Sequence, residues 1–291
     1  MIPQRLLAVF LFALAAGCYA PRARTSAADT VSAEPTAHTY RAIDGVALRA
    51  FVFMPTRNLS NPAPAILLFH GGGWVAGSPE WVFGAARRFA TLGFVAIPVQ
   101  YRLSDTNVSP VGAFADACAA FHWVRRESTR LHVAPTRIAA YGVSAGGHLA
   151  ALAATVGCGI SEGAYGVGGP DALVLWSPAV DVGADGHFKR LLGERARVAD
   201  YSPVEHVRSR MPPVSIVQGD RDNLTPLTGA RRFCDAVIAS GSRCELQVYP
   251  GVGHLLTRNL ANQEDNFDPD PTARDDGIVR QLAFLRKVWE R

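Results

Sequence analysis

The sequence predicts an α/β fold: a mostly parallel sheet of about eight strands, with helices on both faces and a small cap. Two observations carry that expectation. Short, continuously apolar runs such as "PAILLFH" alternate along the chain with longer stretches of helical period. A strand that is apolar at successive positions must be covered on both faces, which is the environment of a parallel sheet. The chain is also large enough for one such domain. Its 291 residues are 48% hydrophobic and 19% charged, and a domain of that size buries roughly 75% of its unfolded surface.

The elements follow in order. "YRAIDGVALRAFVFMP" contains two strand-like runs around Asp-Gly, a hairpin signal. "PAILLFH" is the first buried strand, "PEWVFGAARRFATLG" a helix ending at Gly93, and "FVAIPVQYR" a strand. "VGAFADACAAFHWVRRES" is a helix with Phe114, Cys118 and Phe121 at helical spacing. "TRIAAYG" reads as a strand and "AGGHLAALAATVG" as a helix. "ALVLWSP", "PPVSIVQG" and "CELQVYP" are further strands, with the helical "PLTGARRFCDAVIAS" before the last. A C-terminal helix carries Ile278, Leu282, Leu285 and Trp289 on one stripe. Residues 183–201 read as a small helical insertion, and "RNLANQEDNFDPDPTA" as a long polar loop.

The N-terminal segment is a separate matter. One arginine precedes the apolar run from Leu6 to Ala16, too short to span a bilayer permanently, and Gly-Cys follows. This reads as an export signal, and "LAAGC" resembles the lipobox of bacterial lipoproteins. By that resemblance Cys18 carries a lipid, and the chain is exported and anchored in the cell envelope. Plain secretion to the periplasm or medium, with a cut near "CYA", is the alternative. Residues 19–38, rich in Ala, Ser, Thr and Pro, read as a flexible tether, so the expected division is leader 1–18, tether 19–38, domain 39–291. A formal charge of +4, with arginines scattered in pairs, gives no nucleic-acid stripe.

In an oxidising compartment cysteines pair. Cys234 and Cys244 are ten apart, at a helix end and a strand start joined by a Gly-Ser turn, and are expected to bridge. Cys118 and Cys158 read as buried, unpaired small apolar residues.

Four segments carry chemistry. "GVSAG" places Ser144 between a strand and a helix, the context that gives G-x-S-x-G meaning as a nucleophile on a sharp turn. A serine needs an adjacent base. Of eight histidines, His254 lies on a glycine-rich turn directly after the last strand, whereas His148, one helical turn past the serine, reads as a brace. The base needs a carboxylate. Asp220 and Asp222 both follow the preceding strand; Asp222 is preferred because the chain must clear the strand end before turning back over the sheet. "HGGGW" follows the first buried strand, and its amides, with that of Ala145, can hold an oxyanion. No Lys-Ser/Thr follows those glycines, which argues against a nucleotide loop, and no cofactor or metal is expected. Trp74, next to the glycines, is expected to line the acyl side of the site.

On "HGGGW", "VQYRLS" with Pro110 and Asp116 downstream, "GVSAGGHLAAL", "YSPVEHV", "QGDRDNLTP" and "YPGVGH", the chain from about Tyr40 onward resembles the α/β-hydrolase fold, and within it the hormone-sensitive-lipase-like carboxylesterases. The resemblance implies a Ser144–Asp222–His254 triad, oxyanion donors at Gly72, Gly73 and Ala145, and a small-molecule ester as substrate, with acetyl and feruloyl esters of carbohydrates among the family's range. Val143 and "DTNVS" depart from the family's usual polar and acidic-proline patterns, which bears on substrate range rather than chemistry. Two other readings are open. The glycine loop also resembles those of prolyl-oligopeptidase-type domains and kynurenine formamidase, an amidase or peptidase reading, although such peptidases carry a β-propeller for which this sequence leaves no residues. A non-catalytic small-molecule binder on the same fold, like the gibberellin receptors, would lack the histidine present here as His254.

Overall fold

The structure, a computed structural model, describes residues 34–55, 61–159 and 168–289. The leader, Cys18 and most of the expected tether lie outside the described residues.

Eight strands are present among the described residues, divided into two ladders. β1 (Thr36–Ile43) and β2 (Val46–Val52) form the hairpin around Asp44-Gly45. The other six strands are β3 (Ala63–Phe69), β4 (Val95–Pro98), β5 (Val133–Val143), β6 (Ala172–Trp176), β7 (Val214–Gly219) and β8 (Cys244–Tyr249). They form one all-parallel sheet in the order β4-β3-β5-β6-β7-β8. The hairpin meets this sheet through the bridges Ala50–Val99 and Phe53–Ala96. Thr36 pairs with Val52, so the hairpin starts three residues before the expected boundary at residue 39.

Alternate residues of the sheet enter different cores. Leu67, Phe69, Ile138, Ala140, Leu173 and Leu175 pack with α2 (Pro110–Arg126), α3 (Ala145–Thr155) and α5 (Leu227–Ala239). Ile66, Leu68, Ala96, Ala139 and Val174 pack with α1 (Phe83–Thr91) and α6 (Pro271–Trp289) on the other side. The insertion holds one short helix, α4 (Gly186–Leu192), started by Asp185, whose Oδ1 accepts the amides of His187 at 2.8 Å and Phe188 at 3.0 Å.

Both remaining cysteine pairs are bridged. Cys234–Cys244 joins α5 to the start of β8, as expected. Cys118–Cys158 corrects the expectation of two free thiols. α2 packs against α3, so a residue within α2 meets one just past the end of α3, although 40 positions separate them.

From β3 the chain runs to β4 on one side; with β5 it begins to build the other. The loops after β3 and β5 therefore diverge, and an open parallel sheet binds ligands at the crevice this creates. "HGGG" follows β3 and Ser144 follows β5.

Candidate active site

Ser144 is the single residue between β5 and α3, at φ 52° and ψ −117°. A non-glycine residue held there costs on the order of 1–3 kcal/mol, so its surroundings must fix it. Its amide donates to Trp176 O at 3.0 Å, and its carbonyl accepts from Ala179 N at 3.2 Å and His148 N at 3.1 Å. The small neighbours are required sterically. A Cβ on Gly142 would lie 2.5 Å from Gly146 O, and one on Gly146 would overlap the carbonyls of Phe69 and His70.

His254 follows β8 in a 3-10 turn, His254–Leu256. Its Nε2 lies 3.0 Å from Ser144 Oγ and its Nδ1 2.9 Å from Asp222 Oδ2. The carboxylate settles the tautomer: Nδ1–H donates to Asp222, which leaves the Nε2 lone pair facing the serine hydroxyl. Asp222 is itself saturated. Oδ1 accepts from Leu224 N at 3.0 Å and Thr225 N at 2.8 Å, and Oδ2 accepts from Gln218 Nε2 at 2.8 Å and lies 2.9 Å from the Thr225 hydroxyl. Asp220, the other candidate, is exposed and accepts from Gly251 N at 2.7 Å, so it braces the β8 turn.

The glycine loop lies against the serine. A Cβ on Gly71 would sit 3.3 Å from Ser144 Cβ. Gly72 and Gly73 have φ of 110° and 57°, conformations that leave the loop's amides turned out of any ladder. Among the described residues those two amides donate to no acceptor, while Gly72 O accepts from Val75 N at 3.1 Å and Ala76 N at 2.9 Å. The amide of Ala145 opens α3 and has no intrahelical acceptor. The free amide of Ala145 at the head of α3 favours negative charge, and the free amides of Gly72 and Gly73 belong to the loop that lies against Ser144.

Trp74 differs from its expected place. It is only 3% exposed, with its ring against Phe188 and His148, and its indole N–H donates to His148 Nδ1 at 3.3 Å. It props the glycine loop on α3 and α4 and leaves little surface to line an acyl site. His148 Nε2–H in turn donates to Tyr201 O at 2.7 Å, and burial lowers the ring's pKa to about 4. That histidine is a neutral brace, as its position suggested.

Several supporting residues left no signal in the sequence. His187 Nε2–H donates to Gly73 O at 3.0 Å, fixing the loop from the insertion. Thr225 Oγ1 lies 3.2 Å from His254 Nδ1. Gln263 accepts the His254 amide at 2.8 Å, and Phe267, 41% exposed, has its ring centroid 6.3 Å from that of His254.

Known proteins resemble the chain over most of its length. Residues 52–161 match the BD-FAE family, and residues 109–268 match the Prolyl oligopeptidase family. Esterase 2 of Thermogutta terrifontis superposes with a TM-score of 0.77 at 30% identity, covering 88% of this chain and 96% of that one. The chain belongs to the α/β-hydrolase carboxylesterases. Among curated α/β-hydrolase relatives, Esterase LipC of Mycobacterium tuberculosis is 30% identical over 226 residues, and the probable carboxylic ester hydrolase LipM of the same organism is 30% identical over 206. These matches take in 69% and 62% of this chain, which spans about half of each relative, 54% and 46%. The Thermogutta esterase has been solved with propionate bound, with butyrate bound, and phosphorylated by paraoxon.

Proposed function

We propose that this chain is a serine carboxylesterase that cleaves short-chain acyl esters, with Ser144 as nucleophile, His254 as general base and acid, and Asp222 as the carboxylate that orients it. The observation that carries the reading is the continuous chain of contacts from Ser144 Oγ to His254 Nε2 at 3.0 Å and from His254 Nδ1 to Asp222 Oδ2 at 2.9 Å.

Ser144 Oγ attacks the ester carbonyl as its proton passes to His254 Nε2. The carbonyl oxygen takes up the electron pair and is held by the amides of Gly72, Gly73 and Ala145, each such donor contributing roughly 3–4 kcal/mol in the transition state. The imidazolium, stabilised by Asp222, gives its proton to the leaving alcohol oxygen as the C–O bond breaks. Water then attacks the acyl-serine, again losing its proton to His254, and the acid departs with Ser144 Oγ reprotonated.

Two features support short acyl groups. The insertion contributes only the seven-residue α4 and short 3-10 turns, little material for a deep apolar tunnel. The Thermogutta esterase, similar over most of the chain, binds propionate and butyrate. The match of residues 109–268 to the Prolyl oligopeptidase family favours amide cleavage as a second reading. Stopped-flow hydrolysis of p-nitrophenyl acetate and of the matching anilide tests both. The ester reading expects a burst of one nitrophenol per enzyme and slow or no anilide cleavage; comparable anilide turnover would favour the amidase.

The proposal extends to location: export, with lipid on Cys18 holding the domain at the envelope, the "LAAGC" sequence being its support. Cys18→Ser should leave an unprocessed precursor, whereas native protein free in the medium, cut after Ala20, would mean ordinary secretion.

A further inference from the structure

The polar loop after His254 is closed on itself. Arg258 pairs with Asp268 through two side-chain contacts of 2.7 and 3.0 Å, and its amide donates to Asp268 O at 2.8 Å. Thr257 Oγ1 accepts the amides of Asn259 at 3.1 Å and Asp268 at 2.9 Å. Asn262 Oδ1 accepts those of Glu264 at 3.2 Å and Asp265 at 3.1 Å. Between these turns one side chain points inward: Gln263 is 5% exposed in a segment where Asn262, Glu264 and Asp265 are all exposed.

Its carboxamide touches the backbone of the base and of the two residues on either side of the acid. Oε1 accepts from His254 N at 2.8 Å and from Asn223 N at 3.2 Å, and Nε2 donates to Arg221 O at 2.9 Å. Arg221 and Asn223 flank Asp222. One planar group thus ties the backbone of the base to the backbone on either side of the acid. The fit is close: a Cβ on Gly253 would overlap the Gln263 carboxamide, so that glycine leaves the space the amide fills.

We infer that Gln263 is a positioning residue for ester cleavage, setting the separation of His254 and Asp222 from the tip of the loop at 257–270. The inference rests on the proposed roles of those two residues. It touches no reacting atom; it acts through the backbone of the residues that do. Displacing a catalytic group by about 1 Å can cost about 100-fold in rate, and a tie of this kind governs turnover more than substrate binding.

The test is steady-state kinetics of p-nitrophenyl acetate hydrolysis on the purified chain carrying Gln263→Leu, Gln263→Glu or Gly253→Ala, with Ser144→Ala as a parallel arm and melting temperature as the check on folding. Leucine fills the volume without hydrogen bonds. Glutamate keeps the two acceptor bonds to His254 N and Asn223 N. Alanine at 253 displaces the carboxamide from the opposite side, an independent route if Gln263→Leu fails to fold. The expected result is a loss of about 10- to 100-fold in kcat for Gln263→Leu and Gly253→Ala with KM within about twofold, and partial recovery of kcat in Gln263→Glu. Wild-type kcat in a folded Gln263→Leu or Gly253→Ala, or a loss confined to KM, overturns the positioning role while Ser144→Ala still abolishes activity. Activity surviving in Ser144→Ala overturns the reading of the site itself.

Discussion

Trp74 and His148 are joined edge to face beneath the glycine loop, the indole N–H donating to a ring nitrogen 3.3 Å away in a fully buried imidazole. That acceptor exists only while His148 is neutral. In the folded chain the ring stays neutral down to about pH 4, against 6.5 for an unperturbed histidine, because burial disfavours the charged form. Between those values the unfolded chain binds the extra proton, so this residue costs stability as pH falls from about 6.5 to about 4, on the order of 3 kcal/mol in all. Melting temperature measured across that window should fall with pH, and less steeply in His148→Gln; equal slopes would remove His148 from the account.

The two acids of the β7 loop should separate sharply. Asp222→Asn keeps the shape but presents an amide where His254 needs an acceptor, and kcat should fall by roughly 10⁴-fold. Asp220→Asn alters an exposed contact to Gly251 N and should stay within a few-fold of wild type. Kinetics of the two purified variants check this, and the reverse ranking would move the acid to Asp220.

The bridges should differ in what they contribute. Loop-closure entropy gives about 4 kcal/mol for the 40-residue separation of Cys118–Cys158 and about 3 for the ten-residue Cys234–Cys244. Denaturant unfolding of Cys118→Ser/Cys158→Ser should show the larger loss of the two double variants.

What the sequence made legible follows from where information is local. Ser144, Asp222 and His254 each lie within a few residues of a strand's end, so strand assignment places all three at one edge of a parallel sheet. Glycines 142 and 146 could be read for the same reason, since the turn that needs them is contiguous. The Cys118–Cys158 bridge depends on the packing of α2 on α3, which no spacing encodes. Gln263 is one amide among several in a polar stretch, and only the return of that loop shows which one turns inward. Trp74 was visible as a large residue beside the glycines, but its burial against Phe188 depends on how the insertion folds.

Acyl length is the next measurable property. Each buried methylene is worth about 0.8 kcal/mol only where apolar walls receive it. Efficiency on p-nitrophenyl esters should peak between acetyl and butyryl and fall by octanoyl. Trp74→Ala should cost about 3–5 kcal/mol of stability and lower kcat through the glycine loop, without shifting the preferred chain length. A peak at long acyl chains in the unmutated chain would make this a lipase instead.

The central claim is that Ser144 is the nucleophile. Hydrolysis of p-nitrophenyl acetate by purified Ser144→Ala, compared with wild type at matched folding by circular dichroism, tests it most directly. The kcat should fall by roughly 10⁴-fold or more with an unchanged spectrum and melting temperature. A folded Ser144→Ala that turns over the ester at near wild-type rate would contradict it.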